Sequence, residues 1–230
     1  MKQVFFLGAV AAAGAVAAQA SAIVTFTFFD PGAGAEITYT QGGFAAQGGA
    51  LQNGMLIWTG PAVSLTVDGS DHGLGQQVFD ATLTMSLEIG AVSSFEGGFL
   101  TAPIVTGAMD FRVNGSGESI LSGAIGSGSG AVLTLGTTGN IIGQGAGGPG
   151  GLVWTAGSAL NSLLGPSSLK PIHDANFTLT EISPTVGMTI DGFLTSFTAS
   201  SAFTGNSAIP APGGLALFAS AGVFFRRRRR

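Results

Sequence analysis

Hydrophobic and polar residues alternate along much of the chain, a period of two that is typical of β-strands with one buried face. In the clearest segment, Phe79 to Ile89, every second residue is apolar and the residues between them are polar or charged. Val105 to Val113 shows the same pattern. Half-buried strands belong to antiparallel sheets, because parallel sheets covered on both faces carry continuous apolar runs. The pattern predicts five core side chains: Leu83, Met85, Leu87, Met109 and Phe111.

Eight further segments are predicted as strands, because β-branched and aromatic residues recur there in short runs bounded by glycine. They are residues 23–29, 36–40, 55–59, 63–67, 119–125, 132–135, 177–182 and 193–198. One short helix is predicted at Ser158 to Leu164, ended by Gly165 and Pro166. The sequence therefore predicts a single all-β domain over residues 23–207, an antiparallel β-sandwich of jelly-roll-like type.

The N-terminal segment differs in character from the predicted domain. Lys2 supplies one positive charge, Val4 to Ala18 is apolar, and Ala20 and Ala22 form an A-x-A cleavage pattern. These features predict a helical signal peptide over residues 1–22 and a mature chain that begins at Ile23.

The C-terminal residues, 208–230, form a tail of three parts. A Pro-x-Pro motif comes first, an apolar run over residues 214–225 follows, and the chain ends in five arginines. The motif and the cluster are Pro210, Ala211, Pro212, Arg226, Arg227, Arg228, Arg229 and Arg230. An apolar helix stopped by arginines halts in a membrane with the arginines on the cytoplasmic side, because arginine in the bilayer core costs several kcal/mol. The tail predicts a transmembrane helix and a body outside the cytoplasm.

This tail resembles the PEP-CTERM sorting signal of Gram-negative bacteria, in which the same three parts occur in the same order. Ala211 stands where that family usually has glutamate, and the resemblance covers about a tenth of the chain. It implies that an exosortase-type enzyme cuts the tail near the Pro-x-Pro motif after an inner-membrane intermediate. It further implies a mature protein at the cell surface or outside the cell. There it would be a non-enzymatic structural or adhesive component of a biofilm's extracellular polysaccharide matrix, with exopolysaccharide as a partner.

Removal of both ends changes the charge of the protein. Lys2 and the terminal arginines are six of the eight basic residues, so the body keeps Arg112 and Lys170 against twelve acidic residues, a net charge of −10. Such a body repels nucleic acid and favours cations or neutral glycans as partners. The chain has no cysteine, which excludes disulfides and cysteine-based chemistry.

The densest polar cluster is the loop from Asp68 to His72. Its carboxylates, Asp68 and Asp71, are candidate calcium ligands, because calcium prefers hard oxygen ligands. An Asx turn is the competing interpretation, since the EF-hand spacing and its closing glutamate are absent. His173 and Asp174 would join Asp71 and His72 in a larger metal site only if the fold brought the two loops together.

The sequence contains no recognisable catalytic motif, and we expect a protein without enzymatic activity. No serine occupies a G-x-S-x-G elbow. The GxGxxG pattern at Gly143 to Gly148 is followed by Pro149 rather than by the helix that a dinucleotide site requires, which favours a flexible loop.

Two alternative functions remain open. A secreted glycoside hydrolase would bring two carboxylates together in a cleft, drawn from Glu88, Glu96, Asp110 and Glu118. A glycan-binding module would expose an aromatic side chain on a sheet face or in a groove, for which the candidates are Tyr39, Trp58 and Trp154.

Overall fold

Antiparallel strands make up most of the computed structural model, which describes residues 21–32, 34–44, 50–145, 150–164 and 169–210. Within these residues the strands are β1 (Ser21–Phe28), β2 (Ile37–Thr40), β3 (Gly43–Phe44), β4 (Leu51–Gln52), β5 (Gly54–Trp58), β6 (Val63–Asp68), β7 (Gln76–Ile89), β8 (Ser94–Glu96), β9 (Phe99–Val113), β10 (Ser119–Ile125), β11 (Gly130–Leu135), β12 (Thr138–Gly145), β13 (Val153–Ala156), β14 (Lys170–Ser183) and β15 (Phe197–Pro210). Residues Ser21–Pro210 form one compact unit. The segments 1–20 and 211–230, which carry most of the predicted signal peptide and sorting tail, lie outside the described residues.

Helical structure is limited in the described part of the chain. It consists of α1 (Ser158–Leu164), at the predicted position, and a single 3-10 turn at Ser70–His72. No helix in the described ranges has the length and apolar character needed to cross a membrane.

One continuous sheet of thirteen strands joins nearly all of the described strands, and β3 and β4 form a separate hairpin. The order is β1-β6-β7-β5-β2-β15-β14-β12-β11-β9-β10-β13, with β8 paired to β9. Two additional pairings, β1–β15 and β7–β9, connect distant points of this order, so the sheet folds back on itself. Every strand pairing in the described residues is antiparallel, and the prediction of an all-β antiparallel fold is confirmed.

The predicted core residues are buried. Leu83, Met85 and Leu87 project inward from β7, and Met109 and Phe111 project inward from β9. At the centre of the core, the Phe203 ring contacts four other aromatic rings at centroid distances of 4.7–5.9 Å: Phe28, Phe111, Trp154 and Phe177. The alternating pattern therefore identified these five core positions correctly.

Strand β9 departs from the predicted alternation at Val105. Glu88 pairs with Thr106 but Ile89 pairs with Ile104, so Val105 is an extra residue between two successive pairs. It is only partly buried, whereas the prediction placed it on the core face. Because a β-bulge shifts the side-chain alternation by one position, even-numbered residues face the core before Val105 and odd-numbered residues face it afterwards.

Two other predictions are corrected by the strand boundaries. The segment predicted at 193–198 is mostly a loop, because β15 begins at Phe197 and continues to Pro210. The glycines at 143 and 145, predicted to lie in a flexible loop, instead belong to β12 and pair with β14. Residues 146–149, which complete the GxGxxG pattern and the proline after it, are outside the described ranges.

Candidate functional site

The outer face of β14 carries a row of polar side chains in the middle of the sheet. Ala175, Phe177 and Leu179 face the core, and the alternate residues face outward: Asp174, Asn176, Thr178 and Thr180. β14 pairs with β15 on one side and with β12 on the other. A groove lies at each end of this row, and we call them the Asp174 groove and the Phe99 groove.

The Asp174 groove has a volume of about 550 Å³ and is formed by β1, β14, β15 and the Ser70–His72 turn. Its lining residues are Ile23, Thr25, Asp71, Ile172, Asp174, Asn206, Ser207 and Ala208. The Thr25 hydroxyl donates to Asn206 Oδ1 at 2.8 Å, and Asn206 Nδ2 donates to Asp174 Oδ1 at 2.8 Å. These three residues are direct register neighbours on adjacent strands. The groove therefore presents the Thr25 hydroxyl, the Asn206 amide and the Asp174 carboxylate side by side, held by these hydrogen bonds.

The fold brings Asp71 and Asp174 to this same groove, but it turns His173 away from them. The His173 ring is buried on the inner face, where Nδ1 lies 3.0 Å from the Ser207 hydroxyl. Burial lowers the pKa of His173, and the negative charge of Asp174 opposes this shift. No group of three or more His, Asp or Glu side chains in the described residues is arranged to hold a metal ion. The His72 side chain lies outside the described ones.

Asp68, the other candidate calcium ligand, bonds its own turn. Its Oδ1 accepts hydrogen bonds from the Ser70 backbone N–H at 2.9 Å and from the Ser70 hydroxyl at 2.5 Å. These bonds lower the pKa of Asp68 by stabilising the carboxylate. This is the geometry of an Asx turn, in which the side chain bonds backbone two residues ahead. Calcium binding by Asp68 and Asp71 stays a prediction.

Two of the carboxylates considered for glycoside hydrolysis, Glu88 and Asp110, lie far apart on the surface. Glu88 and Asp110 project from one face of the β7–β9 pair, but Asp110 lies opposite Thr84, four residues from Glu88. That separation is ~13 Å along the strand, beyond the ~5–9.5 Å that the reaction uses. Asp110 pairs with Arg112 at 2.6 Å, and Glu88 accepts a hydrogen bond from Asn53 at 2.7 Å.

The other two carboxylates considered are Glu118 and Glu96. Glu118 precedes β10, in the connection that follows the end of β9. The side chain of Glu96 lies outside the described ones.

The three aromatic residues considered for glycan binding are core residues. Tyr39, Trp58 and Trp154 are 1%, 8% and 2% exposed. The Trp154 indole N–H donates to the Asp174 backbone carbonyl at 2.9 Å, which ties the core to the strand beneath the polar row. These residues do not form the exposed surface that the glycan-binding alternative required of them.

Phe99 provides an exposed aromatic surface instead. It is 48% exposed and lines the Phe99 groove, which has a volume of about 380 Å³. The groove is also lined by Leu133, Thr134, Leu135, Thr138, Gly139, Asn140, Thr178, Leu179 and Thr180. Phe99 was not among the predicted site residues, because the predicted strand began at Val105. Extending the alternation backwards across the bulge would have assigned Phe99 to the core face.

Comparison with protein-family models, curated proteins and solved structures finds no match to this chain. The function of the two grooves is therefore inferred from their own residues. Both volumes fall within the ~300–1,000 Å³ typical of small-molecule sites.

Proposed function

We propose that this protein is exported, sorted to the cell surface and retained there as a non-enzymatic structural or adhesive component of an extracellular polysaccharide matrix. The observation that carries the non-enzymatic part is the wide separation of Glu88 and Asp110 on the surface. Asp71 and Asp174 do share a groove, and there Asp174 belongs to a line of hydrogen-bonded polar side chains with Asn206 and Thr25. The arrangement favours binding over hydrolysis.

The proposed route to the surface follows from the sequence of the two ends. The signal peptide is removed after Ala22, and the apolar run of the tail holds the chain at the inner membrane with Arg226 to Arg230 in the cytoplasm. An exosortase-type enzyme then cuts near Pro210 to Pro212. We further propose that the folded-back sheet is a jelly-roll-like β-sandwich and that both terminal segments are helical before processing.

Intact-mass analysis of protein recovered from the cell surface tests this proposal. The expected product begins at Ile23 and has lost the arginine cluster. Replacing Arg226 to Arg230 with serine should remove the membrane-bound intermediate and abolish surface display, because the charge that stops transfer is gone. Surface protein that still ends in Arg230, or equal display of the serine variant, would contradict the proposal.

A further inference from the structure

We propose that the outer face of β14 and the two grooves at its ends form one extended binding surface for a single chain of a neutral polysaccharide. This inference rests on the proposed role in a polysaccharide matrix and identifies the surface that performs it. We call this surface the β14 track. It consists of Asp174, Asn176, Thr178 and Thr180 with the linings of the Asp174 and Phe99 grooves.

The geometry of the track suits an extended polymer. Outward side chains repeat every second residue of a strand, so the four β14 residues extend over ~20 Å. Asp174 lines one groove, and Thr178 and Thr180 line the other. The row on β14 therefore joins the two grooves without a gap in the polar surface.

Neighbouring strands widen this polar surface on both sides. Asn206 and Thr204 of β15 pair with Asp174 and Asn176, and Gln144 and Asn140 of β12 pair with Asp174 and Thr178. Amide and hydroxyl groups both donate and accept hydrogen bonds, as sugar hydroxyls do. A polymer along β14 would meet such groups from three adjacent strands.

The Phe99 groove adds an apolar surface to these polar groups. Leu133 and Leu135 lie with Phe99 in its lining, beside the hydroxyls and amide of Thr138, Asn140 and Thr178. A sugar ring has an apolar C–H face and a polar hydroxyl edge. An exposed aromatic side chain buries the first, while the threonine and asparagine side chains bond the second.

The charge of the track selects a neutral ligand. The linings of the two grooves contain two carboxylates, Asp71 and Asp174, and no lysine or arginine. The body as a whole has only two basic residues against twelve acidic ones. An anionic polysaccharide would be repelled at the Asp174 groove, where both carboxylates lie, whereas a neutral one meets hydrogen-bonding groups along the whole track.

Affinity electrophoresis of the full-length chain tests this inference, with dextran, mixed-linkage β-glucan or galactomannan in the gel and alginate as the anionic comparison. We expect retardation by at least one neutral polymer and none by alginate. Phe99→Ala should weaken binding about ten-fold, since burial of an aromatic ring contributes at least one factor of ten. Asn176→Ala, in the middle of the track, should weaken it several-fold.

Matched variants control for unrelated effects. Phe29→Ala removes another exposed phenylalanine, 86% exposed and part of neither groove lining, and should leave binding unchanged. Thr84→Ala changes an outward threonine on β7 and should also have no effect. Thermal unfolding of each variant confirms that the fold is intact.

Three outcomes would overturn the inference. They are no retardation by any of the three neutral polymers, retardation by alginate alone, or loss of binding in Phe99→Ala without any loss in Asn176→Ala. The last result would confine binding to one groove. The mass analysis of surface protein tests the proposed function separately. A negative result for the β14 track would therefore leave the proposed sorting to be decided by that analysis.

Discussion

The two faces of β14 differ in what their side chains contact. On the inner face the Phe177 ring contacts the tilted ring of Phe203 at a centroid distance of 4.7 Å, inside the aromatic core. One residue further on, Thr178 is exposed on the β14 track. Removing an inner side chain leaves a cavity, whereas removing an outer one changes only the surface. Neighbouring positions of one strand can therefore be altered separately, one with an effect on stability and the other with an effect on binding.

The largest effect is expected at the inner face. Phe177→Ala should lower the free energy of unfolding by about 3–5 kcal/mol, because it removes a buried ring from a packed cluster. Thr178→Ala should change it by no more than about 0.5 kcal/mol. Urea denaturation of both variants measures the difference. Similar losses of stability in the two variants would show that the two faces of β14 do not differ in this way.

A buried carboxylate gives the next largest effect. Glu36 is buried, and its Oε2 accepts a hydrogen bond from the Ser201 backbone N–H at 2.9 Å. β15 changes partners there, from β2 at residues 197–199 to β1 at residues 203–210. Glu36→Ala should lower the free energy of unfolding by about 1–3 kcal/mol, because the buried Ser201 N–H loses its acceptor.

Glu36→Gln is the matched variant for this prediction, since its amide oxygen can still accept from Ser201. It should lose less stability than Glu36→Ala in the same urea titration. Equal losses would mean that the charge or packing of Glu36, not this hydrogen bond, is what stabilises the strand.

The hydrogen bonds across the Asp174 groove provide the corresponding test on the outer face. Asn206→Ala removes both hydrogen bonds that join Thr25, Asn206 and Asp174. These three residues are partly exposed, so water can replace the lost hydrogen bonds. The free energy of unfolding should therefore fall by about 0.5–1.5 kcal/mol. Thermal unfolding should therefore change far less than for Phe177→Ala, while binding to a neutral polysaccharide weakens. A loss of stability as large as that of Phe177→Ala would show that Asn206 and its two partners belong to the core.

The smallest expected effect is a loss of stability at low pH, caused by His173 on the inner face of β14. The pKa of His173 is lowered below the ordinary value of ~6.5. The unfolded chain therefore binds this proton first as the pH falls, and stability is lost below pH ~6.5 until the folded-state pKa is reached. Urea midpoints at pH ~8 and pH ~5 measure the change, and His173→Asn should reduce it. Asp68 loses its stabilisation only at lower pH, below its ordinary value of ~3.9.

Sequence patterns predicted some elements to the residue and missed others entirely. β10 and α1 lie at their predicted bounds, because β-branched and aliphatic side chains supply their buried positions. β12 was missed because glycine occupies two of its inward positions, 143 and 145, and glycine in a sequence suggests a break. In the fold, a Cβ at Gly145 would collide with the Leu152 backbone, so this strand needs glycine there.

Strand β15 was missed beyond Thr198 for a related reason. Its inward positions include Gly205, where an added Cβ would meet the rings of Phe203 and Trp154. The rings of Phe203 and Trp154 fill the space that a side chain at Gly205 would need. Because glycine stands at this inward position, the local sequence does not show the apolar–polar alternation of a strand. The Asp174 groove was beyond prediction for a different reason, because its central hydrogen bond joins residues 181 positions apart.

The pairing of β1 with β15 makes the polypeptide nearly circular. Ser21 lies opposite Pro210 in the register, so the first and last residues of the compact unit are strand neighbours, about 5 Å apart. A short glycine-serine linker from 210 to 21 should close the ring, and new ends could be opened at the exposed turn of Ser127 and Gly128. Such a circular permutant would keep the β14 track while having no terminal segments at its original ends, and it would allow the domain to be studied free of both apolar runs.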